Sequence, residues 1–167
     1  MTTATRGRVR VEKTAKRVRT YLGGELVADS TNALMVWEKP YYPTYYFPAD
    51  DVNTDLLVAT GETNRSPSRG EAEVFTVKTE KAEALESARW YKVAKIDELE
   101  DHIRFAFGDM DAWFEEEEQI YVHPRDPYTR IDILDSQRHI EIVVNGVDAQ
   151  ISVFSPKGLY MGMCLLA

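Results

Sequence analysis

Eight side chains in this sequence have types suited to gripping a small polar molecule: Trp37, Glu38, Tyr45, Tyr46, Asp51, Ser66, Arg69 and Trp113. Tyrosine and tryptophan each join a flat apolar body to a polar tip, and arginine is a planar donor fork matched to carboxylate or phosphate. Such mixtures line ligand pockets. They also line ordinary β-domain cores, where tyrosine hydroxyls reach the rim. Arg69 and Ser66 stand apart because they sit in a polar stretch where packing is a less natural role. A second chemistry is carried by carboxylates. Asp109 and Asp111 are spaced to project from one side of a strand, the minimum needed to hold Mg²⁺ on a phosphate. No glycine-rich phosphate loop accompanies them, and Met110, Trp113 and Phe114 read as core. Nucleophilic catalysis has little to stand on: Gly-x-Ser-x-Gly is absent, and His102, His123 and His139 are scattered. With one cysteine, Cys164, neither an internal disulfide nor a cysteine-based zinc cage can form.

The elements that must position these groups are mostly strands. Val18, Thr20 and Leu22 alternate with Arg19 and Tyr21, and Gly23-Gly24 supplies the positive φ angles of a tight hairpin turn. Leu26 and Ala28 continue on the return strand. Further strands are expected at 33–39, 43–47, 73–78, 104–107, 112–114 and 120–123. Pro48 fits the first turn of a short helix, with Asp50 and Asp51 near its positive end. Ile96, Leu99 and Ile103 recur at helical spacing, which predicts another short helix near 96–102. Residues 59–70 (ATGETNRSPSRG) read as a polar loop. The expected class is mainly β: a small antiparallel sheet domain, bent, tent-like or an open barrel, with one or two short helices.

Hydrophobic residues make up 44% and charged residues 29%, a composition that folds. No run approaches about 20 apolar residues, so no membrane-spanning helix is expected, and a cytoplasmic location fits best. The net charge of −8 is unevenly spread. Residues 1–19 hold seven basic side chains against the single acid Glu12, so the rest of the chain is strongly acidic. An acidic body repels phosphates, which argues against duplex nucleic acid as a partner. The expected organisation is a flexible basic arm at 1–15, a complete β-rich domain at 16–122, a linker at 123–137 and an incomplete second copy at 138–167. The second copy is suggested by laying Lys16–Ser30 over Arg138–Ser152, where both segments start basic, alternate and turn at a glycine, although only Gly24/Gly146 and Ser30/Ser152 are identical. Asn145-Gly146 predicts a hairpin over 139–153 that pairs Val144 with Val147 and gathers its aliphatic residues on one face. That face, with the apolar tail that follows, offers a route to self-association.

Taken together, Arg17–Ser30 (RVRTYLGGELVADS), Val36-Trp37-Glu38, Tyr42–Val52 (YPTYYFPADDV), Ser66–Ala72 (SPSRGEA) and Asp111–Phe114 resemble the domain of unknown function 427 family. The resemblance implies a small, often tandem, β-rich domain related to zinc-containing β folds, with a linker like His123–Leu134 between copies. It also carries a nucleotidyltransferase-like label. Many family copies have Cys-Pro-aromatic-Lys-Gly where this chain has Ser66-Pro67-Ser68-Arg69-Gly70, so a cysteine-dependent role is not expected here. Two functional readings follow. The first is a binding module for a small polar or anionic ligand, or a protein partner, with an aromatic and arginine pocket and no cofactor. The alternative is a Mg²⁺-dependent nucleotidyltransferase-like enzyme. No zinc is expected in either.

Overall fold

The computed structural model describes residues 9–138 and, beyond them, four short strand segments at 143–144, 147–148, 154–155 and 158–161. The chain is mainly β, its body built from two antiparallel sheets of seven and four strands, with no closed barrel and no α-helix among the described residues. No described helix is long and apolar enough to cross a membrane.

Strand β1 (Arg10–Lys13) lies inside the segment expected to be a flexible arm; it pairs with β4 and forms one edge of the larger sheet. Strands β2 (Val18–Leu22) and β3 (Glu25–Ser30) form the predicted hairpin, with Val18, Thr20 and Leu22 buried. Its turn residues Gly23 and Gly24 have φ of +60° and +79°. A Cβ at Gly23 would also stand 2.6 Å from the Thr79 hydroxyl, so glycine is required there twice over. Strands β4 (Leu34–Lys39) and β5 (Tyr42–Pro48) follow, then β6 (Leu57–Ser66), β7 (Gly70–Lys78), β8 (Glu83–Ala94) and β9 (His102–Phe105). These complete a seven-stranded sheet in the order β1-β4-β5-β9-β8-β7-β6. Strands β10 (Ala112–Glu115) and β11 (Glu118–Ile120) join the first hairpin in a four-stranded sheet, β11-β10-β2-β3.

Two cores result, because β4 is buried on both faces. Met35 and Trp37 point with Tyr45, Phe47, Phe105 and Trp113 into the main core between the sheets. Leu34 and Val36 point the other way, with Tyr46, Ala72, Tyr91 and Leu99. The second cluster exists because the large sheet bends on itself. Strands β5 and β9 are joined only through Phe47–Ile103 and Pro48–His102, and across that narrow joint the outer faces of the two halves close over Leu99.

The stretch expected to be a polar loop, 59–70, is mostly strand β6, paired along β7. As an edge strand with both faces towards solvent it has almost no buried side chain, hence no alternation to read. Both expected helices are single 3₁₀ turns, Ala49–Asp51 and Asp97–Leu99. The helical spacing at 96–103 arises from one turn that buries Leu99 and a strand that begins at His102. The strand expected at 120–123 ends at Ile120.

The region expected to be a linker is strapped to the strands that precede it. The Tyr128 hydroxyl donates to Glu12 (2.6 Å), Lys16 meets Asp132 (3.1 Å), and the Glu117 amide donates to the Asp135 carbonyl (2.9 Å). Arg138 donates to Glu116 and to the Ala15 carbonyl. Strand β12 (Leu134–Asp135) pairs with β16 (Gly158–Met161), which also pairs with β15 (Phe154–Ser155). Strands β13 (Val143–Val144) and β14 (Val147–Asp148) pair antiparallel with Val144 opposite Val147, the register Asn145-Gly146 predicts. The remainder of the expected 139–153 hairpin lies outside the described residues.

Candidate functional site

Because β5 alternates, the consecutive residues Tyr45 and Tyr46 serve opposite faces of the sheet, and each hydroxyl ends on a charged group. Four of the sequence-predicted site residues gather on the Tyr46 face. The Ser66–Gly70 loop joins β6 to β7, and Arg69 turns inward from it. The Arg69 Nη1 donates to the hydroxyls of Tyr46 (2.8 Å) and Tyr91 (2.9 Å) and lies 2.9 Å from a Glu38 carboxylate oxygen. Tyr46 donates in turn to Glu38 (3.3 Å), and Ser66 Oγ accepts from the Arg69 amide and Nε, both at 3.3 Å. The loop is tied to the end of β8 as well, since the Lys95 amide donates to the Arg69 carbonyl (2.9 Å) and Lys95 Nζ to the Pro67 carbonyl (3.1 Å). Gly70, at φ +102°, brings the backbone so close to Lys95 that a Cβ would sit 3.1 Å from its amide.

Electrostatics reinforce this cluster. Burial, with the neighbouring Tyr91 second, pushes the Tyr46 hydroxyl well above its ordinary value, so it remains a protonated donor. Burial works against the Arg69 cation, but Tyr46, Tyr91 and Glu38 outweigh it and the guanidinium is held above its usual range. The Arg69 Nη2 makes no hydrogen bond to a described residue and is not enclosed. Beside the loop lies an open cleft of about 530 Å³, bounded by Arg65, Ser66, Gly70, Glu71, Val93 and Lys95. Two cations therefore border it against one acid, to which Arg65 is loosely paired at 3.7 Å.

The opposite face holds a closed network. Tyr45 donates to Glu115 (2.8 Å), whose other oxygen meets Lys16 Nζ at 2.5 Å, and Lys16 reaches Asp132. Tyr45, Lys16 and Glu115 are all buried. Burial and then the Glu115 charge drive the Tyr45 hydroxyl far above its ordinary value. Trp113 stacks on Phe107 (5.2 Å) and Tyr45 (6.4 Å), and its indole N–H donates to the Phe107 carbonyl (3.0 Å). The Arg10 guanidinium lies 4.7 Å from the Trp37 ring and 4.3 Å from the Tyr128 ring, and the two rings meet each other tilted at 6.4 Å.

The eight predicted residues thus do not form one pocket. Glu38, Tyr46, Ser66 and Arg69 come together; Trp37, Tyr45 and Trp113 belong to the main core. Asp51 lies elsewhere, accepting from Ser30 Oγ (2.6 Å) and pinning a 3₁₀ turn to the end of β3. Asp109 and Asp111 do not share a strand face: Asp109 ends a 3₁₀ turn, and Asp111 accepts from the Gly23 amide at 2.5 Å, capping the first hairpin. Among the described residues no group of three or more His, Cys, Asp or Glu side chains could hold a metal ion. Sequence reasoning missed Tyr91, Lys16 and Glu115. Tyr91 lies in a stretch with no readable period, and the other two lie in charge-rich runs.

The fold and this arginine-centred cluster define a small mainly-β module. Residues 10–116 match the profile of a family described as a domain of unknown function, DUF427, and the chain belongs to that family. No curated protein matches it.

Proposed function

We propose that the first domain is a binding module that holds a small anionic ligand, or the acidic group of a partner, at the Ser66–Gly70 loop. One observation carries this reading: Arg69 is fixed from one side by two tyrosines and a carboxylate, while its Nη2 is left uncommitted. A guanidinium already oriented loses little freedom when a carboxylate or phosphate docks. Arg65 and Lys95 on the adjacent cleft add positive charge in an otherwise acidic chain. The enzyme reading has less support, because Asp111 is spent on a backbone amide and Asp109 does not join it.

Thermal unfolding in the presence of phosphate, nucleoside phosphates and dicarboxylates, each with and without Mg²⁺, tests both readings, since a ligand of the native state raises its stability. A Mg²⁺-independent rise with one anion class, lost in Arg65→Ala/Lys95→Ala and in Arg69→Lys, is the expected result. No stabilisation by any anion overturns the module. Stabilisation only by a nucleoside triphosphate with Mg²⁺ would replace it with the enzyme.

A further inference from the structure

A second cavity, of about 260 Å³, lies where the strap after β11 crosses the end of the four-stranded sheet. Ile120, Val122 and Leu134 contribute apolar wall, and Glu115 and Asp132 also border it. Both carboxylates are already occupied. Glu115 accepts from Tyr45 and Lys16, and Asp132 pairs with Lys16 and with Arg130. The acids therefore present no uncompensated charge to a ligand. The donors are a different matter. Arg125 borders the same cavity, is exposed, and has no ion pair or hydrogen bond to a described residue. Gln119 uses its carbonyl oxygen to accept from Tyr121 (3.2 Å), which leaves its amide N–H groups without a described partner. His123 places Nδ1 beside the Pro124 carbonyl (2.8 Å) and packs its ring on Tyr42 (5.1 Å), which fixes the imidazole plane.

We propose that this cavity is a binding site for a small organic acid, its carboxylate on Arg125 and the Gln119 amide and its short hydrocarbon body against Ile120 and Leu134. The inference rests on a mismatch: acceptors are satisfied and donors are in surplus, so the complement is an anion. The apolar walls favour one that carries hydrocarbon. The buried Lys16–Glu115 pair forms a rigid floor and takes no part in recognition.

The test is a titration of the isotope-labelled full chain followed by backbone amide NMR, with butyrate as probe, and butylamine and inorganic phosphate as controls. Saturable shifts confined to residues 119–125 and 130–134 are expected with butyrate. Arg125→Gln should weaken binding roughly tenfold, the size of one charge-assisted hydrogen bond. Because Arg125 makes no ion pair or hydrogen bond to a described residue, that variant should unfold at the wild-type temperature, and Lys81→Ala, an exposed cation outside this cavity, should bind butyrate like wild type. No saturable shift, undiminished affinity in Arg125→Gln, or equal binding of butylamine or phosphate would each overturn the proposal.

Discussion

Tyr45 and Tyr46 are adjacent in sequence, buried to the same degree and joined to networks of similar composition, yet the two networks differ in kind. On the Tyr45 side every charged group is answered from within the protein, and the strap closes over it. On the Tyr46 side the guanidinium is answered at Nε and Nη1 but makes no hydrogen bond to a described residue at Nη2, and its Glu38 partner is 30% exposed. A closed buried ion pair is a structural device whose rupture is costly; a half-open one has capacity left for a ligand. The sheet therefore separates a charged network closed by the protein itself from one that is still reached by solvent.

The sharpest way to break this comparison is to remove one carboxylate from each network. Glu115→Ala leaves Lys16 and the Tyr45 hydroxyl buried with a partner missing and should cost about 3–5 kcal/mol. Glu38→Ala leaves Arg69 its two tyrosines and access to water and should cost about 1 kcal/mol or less. Urea denaturation of both variants measures the gap; equal losses would mean that the Tyr46 side is as structural as the other. Tyr45→Phe and Tyr46→Phe probe the same contrast at smaller amplitude. The first leaves a buried carboxylate short of a donor and should cost about 1.5–3 kcal/mol, the second about 1 kcal/mol.

Acid stability sharpens the comparison from the strap side. Burial works against the Glu116 carboxylate, but Arg138, the Arg17 amide and Ser136 outweigh it and hold its titration below the ordinary carboxylate range. A carboxyl depressed in the folded state contributes stability above its unfolded value, and that contribution is lost as pH falls through its folded value. Arg138→Ala should therefore lower stability at neutral pH and flatten its decline on acidification, read as a shallower dependence of the unfolding midpoint below pH about 5. An unchanged slope would show that the strap does not bear on the acidic turn. The smallest effect belongs to Tyr128→Phe, which removes one exposed hydrogen bond to Glu12 while keeping the ring against Arg10. It should shift stability by about 0.5 kcal/mol, a change seen most easily as faster amide exchange in β1.

How much of this was legible depended on whether a residue's partner was local. The β2–β3 hairpin was readable because alternation and two glycines are local signals, and fold class followed from many such segments. Strand β6 was not, because an edge strand solvated on both faces has no period to detect. The meeting of Arg69 with Tyr46 was reachable through the family-like segments, while Tyr91, which completes it, carried no signal of its own. Lys16 and Glu115 are 99 residues apart and each sits among other charges, so only the pairing of β2 with β10 brings them together. Within the acidic run 115–118, Glu115 and Glu116 are buried for the same reason, against basic groups and a backbone amide from distant segments.

The narrow joint between β5 and β9 has a mechanical meaning. The two plates share only two ladder pairs there, so most of what couples them is side-chain packing: Met35, Tyr45 and Phe47 from one plate meet Phe75, Val77 and Phe105 from the other in the main core. Tyr46 rides on one plate and Tyr91 on the other, and Arg69 bridges their hydroxyls as a strut across the opening. Arg69 therefore does two jobs at once, holding the Ser66–Gly70 loop in place and tying one plate of the larger sheet to the other.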